Sequence, residues 1–257
     1  MRFLEEVPKG TDLGLKERDG FDTALNGLRT ALDDHWLPDK KYYSSVLNRE
    51  VGDPSQTDDS QYDPNSDVVM ACLYGSVPCT DPKLLSTAAQ IRRSYVEGGS
   101  AAYPINDDEF RGFGPLIGRY PGDRYDGNTA DGINDGRHPW AVCTLNLAQL
   151  YYRLANAFGK GQGAVFNELT KPLFDDMGLD EATVKGGGQP VVDALRTAGD
   201  KSLQAVIYHS DRFRLSEQFD AVTGYEKSVQ DLTWSYAAYL SAARERPKPP
   251  PSGPAGP

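Results

Sequence analysis

The sequence predicts an all-α fold. Apolar residues recur at helical spacing in several stretches, strand-like alternation is scarce, and helix-start and helix-stop residues bracket the best of these stretches. Leu25, Leu28 and Leu32 repeat at three and four between Asp22 and Trp36, which predicts the first helix. Asp81-Pro82 offers an N-cap carboxylate and a first-turn proline. Leu84, Ala88, Ile91 and Tyr95 then keep one face until Gly98-Gly99. Pro139 opens the clearest helix, with the stripe Cys143, Leu147, Leu150, Leu154 and Ala157 ended by Gly159. Further helices are expected over 164–177, 190–208 and 229–243.

The composition bounds what such a fold can do. The chain has 257 residues, 39% hydrophobic and 25% charged, which suits one large domain or two small ones. Its 27 Lys and Arg against 37 Asp and Glu leave a net charge of -10. Such a surface repels phosphate backbones and anionic lipid, so neither nucleic acid nor a membrane is expected as a partner, whereas a neutral substrate meets no penalty. No apolar run approaches the roughly 20 residues of a membrane helix. The start, Met1-Arg2-Phe3-Leu4-Glu5-Glu6, does not read as a signal peptide. Cys72, Cys79, Cys143, His35, His138 and His209 show no metal-ligand spacing, and no metal or other cofactor is expected. Spacing alone leaves Cys72 and Cys79 open to a local disulfide or to two buried thiols, the thiols somewhat the commoner outcome. The run from Asp126-Gly127-Asn128 to Asp131-Gly132 misses the register of a calcium loop and reads as turns.

Two long polar loops separate the helices, over 48–66 and 105–138. Compact domains rarely keep loops above ~15 residues without a use for them, so the second, which leads into Trp140, is the candidate site. Residues 246–257 are mostly Pro, Gly and Ser and read as a disordered tail or linker after a domain spanning 1–245.

Two clusters carry chemistry. One is Gly118-Arg119-Tyr120-Pro121-Gly122-Asp123 with Tyr125 and His138-Pro139-Trp140; the other is Leu215-Ser216-Glu217-Gln218-Phe219 with Leu232-Thr233-Trp234-Ser235-Tyr236. Together with Tyr103-Pro104-Ile105-Asn106-Asp107 they resemble, in order, motifs of the fungal and yeast glucoamylases of glycoside hydrolase family fifteen, across roughly Asp63 to Arg244. The resemblance implies an (α/α)6 barrel, an inner ring of helices inside an outer ring, and an enzyme releasing glucose from the non-reducing ends of starch or malto-oligosaccharides with inversion. It implies Glu217 as the general base, Arg119 as the grip on the terminal glucose, and Trp140 and Trp234 as linings of the sugar subsites, with Tyr120 and Tyr125 as further candidates for the same wall. It also implies a Cys72–Cys79 disulfide and secretion. The physics is consistent with those roles: an arginine fork suits vicinal hydroxyls, and indoles pack on the apolar faces of a pyranose. Without the family, Arg119 would be expected to pair with Asp123, Trp140 and Trp234 to lie in the core, and Glu217 to be solvated.

The chain also departs from the family. The Leu-Trp-Glu-Glu motif that carries the general acid does not occur; Phe3-Leu4-Glu5-Glu6 lacks its tryptophan, so neither Glu5 nor Glu6 is assigned. Gly122 stands where the family has Glu, and the loop over 128–137 is enlarged. The helices present are expected to form the C-terminal half of the barrel, a fragment that needs its N-terminal half and is inactive alone. The alternatives are a sugar-binding pseudoenzyme, or another (α/α)6 carbohydrate-active enzyme such as a phosphorylase or glucodextranase.

Overall fold

The computed structural model describes residues 18–47, 62–97, 101–107, 112–127 and 137–246. The Phe3-Leu4-Glu5-Glu6 stretch, the enlarged part of the loop at 128–136 and the tail from 247 lie outside them. Eight α-helices carry the described residues: α1 (Arg18–Asp34), α2 (Asp67–Leu73), α3 (Pro82–Val96), α4 (Ala141–Gly159), α5 (Lys171–Asp175), α6 (Glu181–Gly186), α7 (Gln189–His209) and α8 (Thr233–Glu245). Two short antiparallel hairpins complete it, β1 (Trp36–Leu37) with β2 (Tyr42–Tyr43) and β3 (Gln218–Phe219) with β4 (Glu226–Lys227). The all-α reading holds.

α4 is the axis of the fold. It packs against α7, α8 and α2. The sequence showed one stripe, but burial extends further round the helix, to Leu145, Ala148 and Tyr152 at 0% exposure. A helix apolar on most of its circumference is one enclosed by neighbours. Its one long charged side chain is used structurally: Arg153 donates to the carbonyls of Cys72 and Leu73 at the end of α2 and to Glu245 at the end of α8. α3 starts as its sequence predicts, with Asp81 Oδ1 accepting from the Leu84 amide at 2.8 Å, and packs on α2, α5 and β2.

Four expectations need correction. The first helix ends at Asp34, because Trp36 pairs with Tyr43 in the β1–β2 hairpin. The helix expected over 164–177 contracts to α5, since Asn167 Oδ1 accepts from the amides of Leu169 and Thr170 and closes a turn first. The helix expected from Val229 starts at Thr233, because the Val229 carbonyl accepts from Glu217 N and the Leu232 amide donates to Leu215 O. Cys72 and Cys79, which spacing alone inclined toward thiols, form a disulfide across the end of α2. Cys143 remains a buried thiol whose pKa burial pushes up to about 12.

Candidate active site

Three chain segments meet at the N-terminus of α4. Trp140 is its N-cap residue and 3% exposed. Its amide donates to Ile117 O at 2.9 Å, tying it to the arginine segment. It forms a β-bridge with Gln218, the Ala141 amide donates to Glu217 O at 3.2 Å, and the Phe219 amide donates to Pro139 O at 3.0 Å. Backbone bonds therefore fix the arginine segment, the start of α4 and the β3–β4 hairpin against one another.

The arginine segment is held in place by side chains from the core. Asn106, in the short 3-10 turn Pro104–Asp107, donates to Leu116 O at 2.9 Å and accepts from the Leu116 amide at 2.9 Å. Thr144 on α4 accepts from the Ile117 amide at 3.0 Å. Gly118 then passes so close to the stacked rings of Tyr95 and Tyr103 that a Cβ there would lie 2.2 Å from Tyr103 Oη. The motif Tyr103–Asp107 thus acts as a strut under the site.

Arg119 leaves this strut and is clamped at once. Its Nε and Nη2 donate to the two carboxylate oxygens of Asp123, each at 2.7 Å, and Asp123 is 1% exposed. Those bonds hold the guanidinium above its ordinary arginine pKa, so it is a permanent cation. Its central carbon sits 4.4 Å from the Trp140 ring centroid, 5.3 Å from Tyr125 and 5.6 Å from Tyr120, within cation–π range of all three. Two of its five N–H groups go to Asp123, which leaves three for hydroxyls of a ligand. The Trp140 indole N–H is buried without a partner.

The hairpin brings in the carboxylate. Gln218 pairs with Lys227 and Phe219 with Glu226; beyond them Ser228, at a φ of 66°, turns the chain out of the ladder. The Ser228 hydroxyl donates to Glu217 Oε2. Glu217 is 7% exposed and its amide donates to Val229 O at 2.9 Å. The turn of the hairpin is closed by Asp220. Burial alone would raise its pKa, but the amide and hydroxyl of Thr223 and the amide of Val222 hold it below the usual carboxylate range.

Of the six residues singled out in the sequence, Arg119, Tyr120, Tyr125, Trp140 and Trp234 are joined by ring and cation–π contacts, and Glu217 is tied to Ala141 through its backbone. Trp234, at the start of α8, lies 6.1 Å from Trp140, ring to ring, and at 48% exposure is not the core residue expected of a helical tryptophan. Tyr125 lies 5.6 Å from Trp140 and Tyr120 packs edge-on against Tyr62. The pairing of Arg119 with Asp123 coexists with its stacking on the indole. Sequence reasoning missed Ser228, which it placed beside a helix, and Gln218, which donates to Tyr125 O at 3.1 Å and accepts from the Gly127 amide. Among the described residues, no group of three or more His, Cys, Asp or Glu is arranged to hold a metal ion. No described helix is long and apolar enough to cross a membrane. A cavity of about 280 Å³ lined by Arg92, Tyr151 and Asp176 and an open one of about 650 Å³ lined by Tyr208, Tyr225 and Glu226 include none of these six residues.

Residues 14–244 match the family profile of the glycosyl hydrolases family 15. The chain is 29% identical over 229 residues to glucoamylase GLA1 of Saccharomycopsis fibuligera, covering 82% of this chain and 39% of that protein. It is 29% identical over 184 residues to the intracellular sporulation-specific glucoamylase of Saccharomyces cerevisiae, covering 65% of this chain and 32% of that one. It superposes on the solved glucoamylase of Saccharomycopsis fibuligera with a TM-score of 0.70 at 24% identity, covering 91% of this chain and 51% of that structure. The shared fold is the (α/α)6 barrel, and the chain spans from 32% to 51% of these relatives' lengths. The profile runs through the arginine segment, the start of α4 and the hairpin alike, over helices arranged as in that barrel: the chain belongs to glycosyl hydrolases family 15.

Proposed function

We propose that this chain carries the general base and one sugar-binding wall of a glucoamylase-type site, which releases glucose from the non-reducing ends of starch-like α-1,4-glucans with inversion. The observation that carries the reading is the Arg119 guanidinium, pinned by Asp123 and lying 4.4 Å from the Trp140 ring beside the hairpin of Glu217. Its remaining donors take vicinal hydroxyls of the terminal glucose, and Trp234, Tyr120 and Tyr125 offer ring surfaces to malto-oligosaccharide units, while Trp140, 3% exposed, backs the guanidinium from the core. Glu217 removes a proton from the water that attacks the anomeric carbon. Inversion requires a second carboxyl roughly 6.5–9.5 Å away, protonated, to give its proton to the leaving oxygen. No matched motif supplies it, so in this reading the chain acts together with the N-terminal half of the barrel and is inactive alone. The Cys72–Cys79 disulfide supports secretion, since such bonds persist in oxidising compartments.

Calorimetric titration of the chain with acarbose tests the wall. Saturable binding that Arg119→Ala weakens at least tenfold is expected, and a folded chain that binds nothing overturns the reading. In a version extended to the length of its relatives, Glu217→Gln is expected to lower maltose hydrolysis at least about 10²-fold while leaving binding intact. Near-normal turnover removes Glu217 from the base role. Binding without any turnover in the extended form marks a sugar-binding pseudoenzyme.

A further inference from the structure

We propose that Lys227 is a positioning residue that fixes the hairpin carrying Glu217, a role that rests on the reading of Glu217 as the base. Lys227 pairs with Gln218 across the hairpin and is followed by Ser228, whose hydroxyl donates to Glu217. The Lys227 ammonium lies 3.1 Å from Asp126 Oδ2 and 3.0 Å from His138 Nε2, with Asp220 Oδ2 at 3.9 Å. Asp126 and His138 side chains are each 2% exposed and that of Lys227 17%, so the cation is taken from water and compensated inside the protein. An ammonium can only donate, so His138 accepts at Nε2 and carries its ring proton at Nδ1.

Asp126, His138 and Lys227 belong to the three segments of the site. Asp126 follows Tyr125 on the arginine segment, His138 precedes Pro139-Trp140, and Lys227 is bonded through the chain to Ser228. Gln218, beside Lys227, reaches the same loop through Tyr125 O and the Gly127 amide. A ladder of two residue pairs is marginal by itself. The charged staple adds side-chain anchoring to the backbone bonds that join the hairpin to Pro139 and Ala141. Because Ser228 follows Lys227 directly in the chain, holding Lys227 holds the Ser228 hydroxyl on the Glu217 carboxylate.

The test is amide hydrogen exchange on the full chain, comparing wild type with Lys227→Met and, should that variant fail to fold, with Asp126→Asn. Protection of the Glu217, Phe219 and Ala141 amides, which pair the hairpin internally and with the start of α4, is expected to fall at least tenfold. The Ala88 and Ala89 amides inside α3 are expected to keep theirs. A parallel fall at all five would mean a general contribution to stability, and no fall would mean no anchoring; either overturns the proposal. Acarbose affinity on the same samples is expected to weaken at least tenfold, and selective loss of protection with unchanged affinity also overturns it. If the wild-type chain binds no acarbose, the reading of the site fails while the exchange pattern still decides whether Lys227 anchors the hairpin.

Discussion

Replacing Asp123 by Asn separates the clamp on Arg119 from everything else in the site. The substitution keeps the shape of the side chain but turns one carboxylate oxygen into an amide nitrogen. Asp123 accepts from Arg119 Nε and Nη2 at 2.7 Å and from the Tyr125 amide at 3.0 Å. The new NH2 must face one of these donors, so at least one charge-assisted bond is lost, at about 1.5–3 kcal/mol. Arg119 is 37% exposed along its side chain, and that contact with water argues for the lower part of the range, about 2 kcal/mol. For a chain of this size that lowers the melting temperature by roughly 4–8 °C. The consequence for binding is separate. Without its clamp the guanidinium is no longer confined over the Trp140 ring, and one fixed hydrogen bond to a sugar hydroxyl is worth about 1.4 kcal/mol, or a tenfold loss of acarbose affinity. Scanning calorimetry and acarbose titration on the same protein read both. A lower melting temperature with unchanged affinity would show that the clamp stabilises the fold but does not aim Arg119 at a ligand. No change in either would show that the clamp contributes nothing in solution.

Other substitutions probe neighbouring links. Ser228→Ala removes the hydroxyl that donates to Glu217 Oε2 and is expected to lower kcat of the extended enzyme roughly tenfold with KM little changed. Unchanged turnover would detach Ser228 from the base. Gly118→Ala places a methyl group 2.2 Å from Tyr103 Oη, and the expected cost of such overpacking is about 1–3 kcal/mol by thermal melting. Tyr103→Phe in the same chain is expected to recover part of it by removing the oxygen that is struck, and strict additivity of the two changes would refute the contact.

What could be read in the sequence was what repeats locally. The cap at Asp81 and the stripe on α4 are decided within a few residues, and both helices form where their signals lie. The six site residues were legible only because their motifs stand in family order; nothing in Trp234 itself distinguishes a half-exposed wall from a core residue. The hairpin was not legible, because two-residue strands give no alternation to detect, and Val229 followed by Leu232 has helical spacing. What takes that stretch out of the helix is the set of backbone bonds it makes with Leu215 and Glu217, upstream in the chain.

Ser228 and Lys227 escaped together because the hairpin places both. The ladder ends at Gln218 and Lys227; Ser228 has a φ of 66° and the Glu217 amide donates to Val229 O, so strand alternation stops before the hydroxyl–carboxylate contact is reached. Asp126 and Lys227 are 101 positions apart, so no local pattern announces their pairing. That pairing nevertheless ties the residue next to Ser228 to the loop after Tyr125, and a site can depend for its geometry on residues that never touch its ligand.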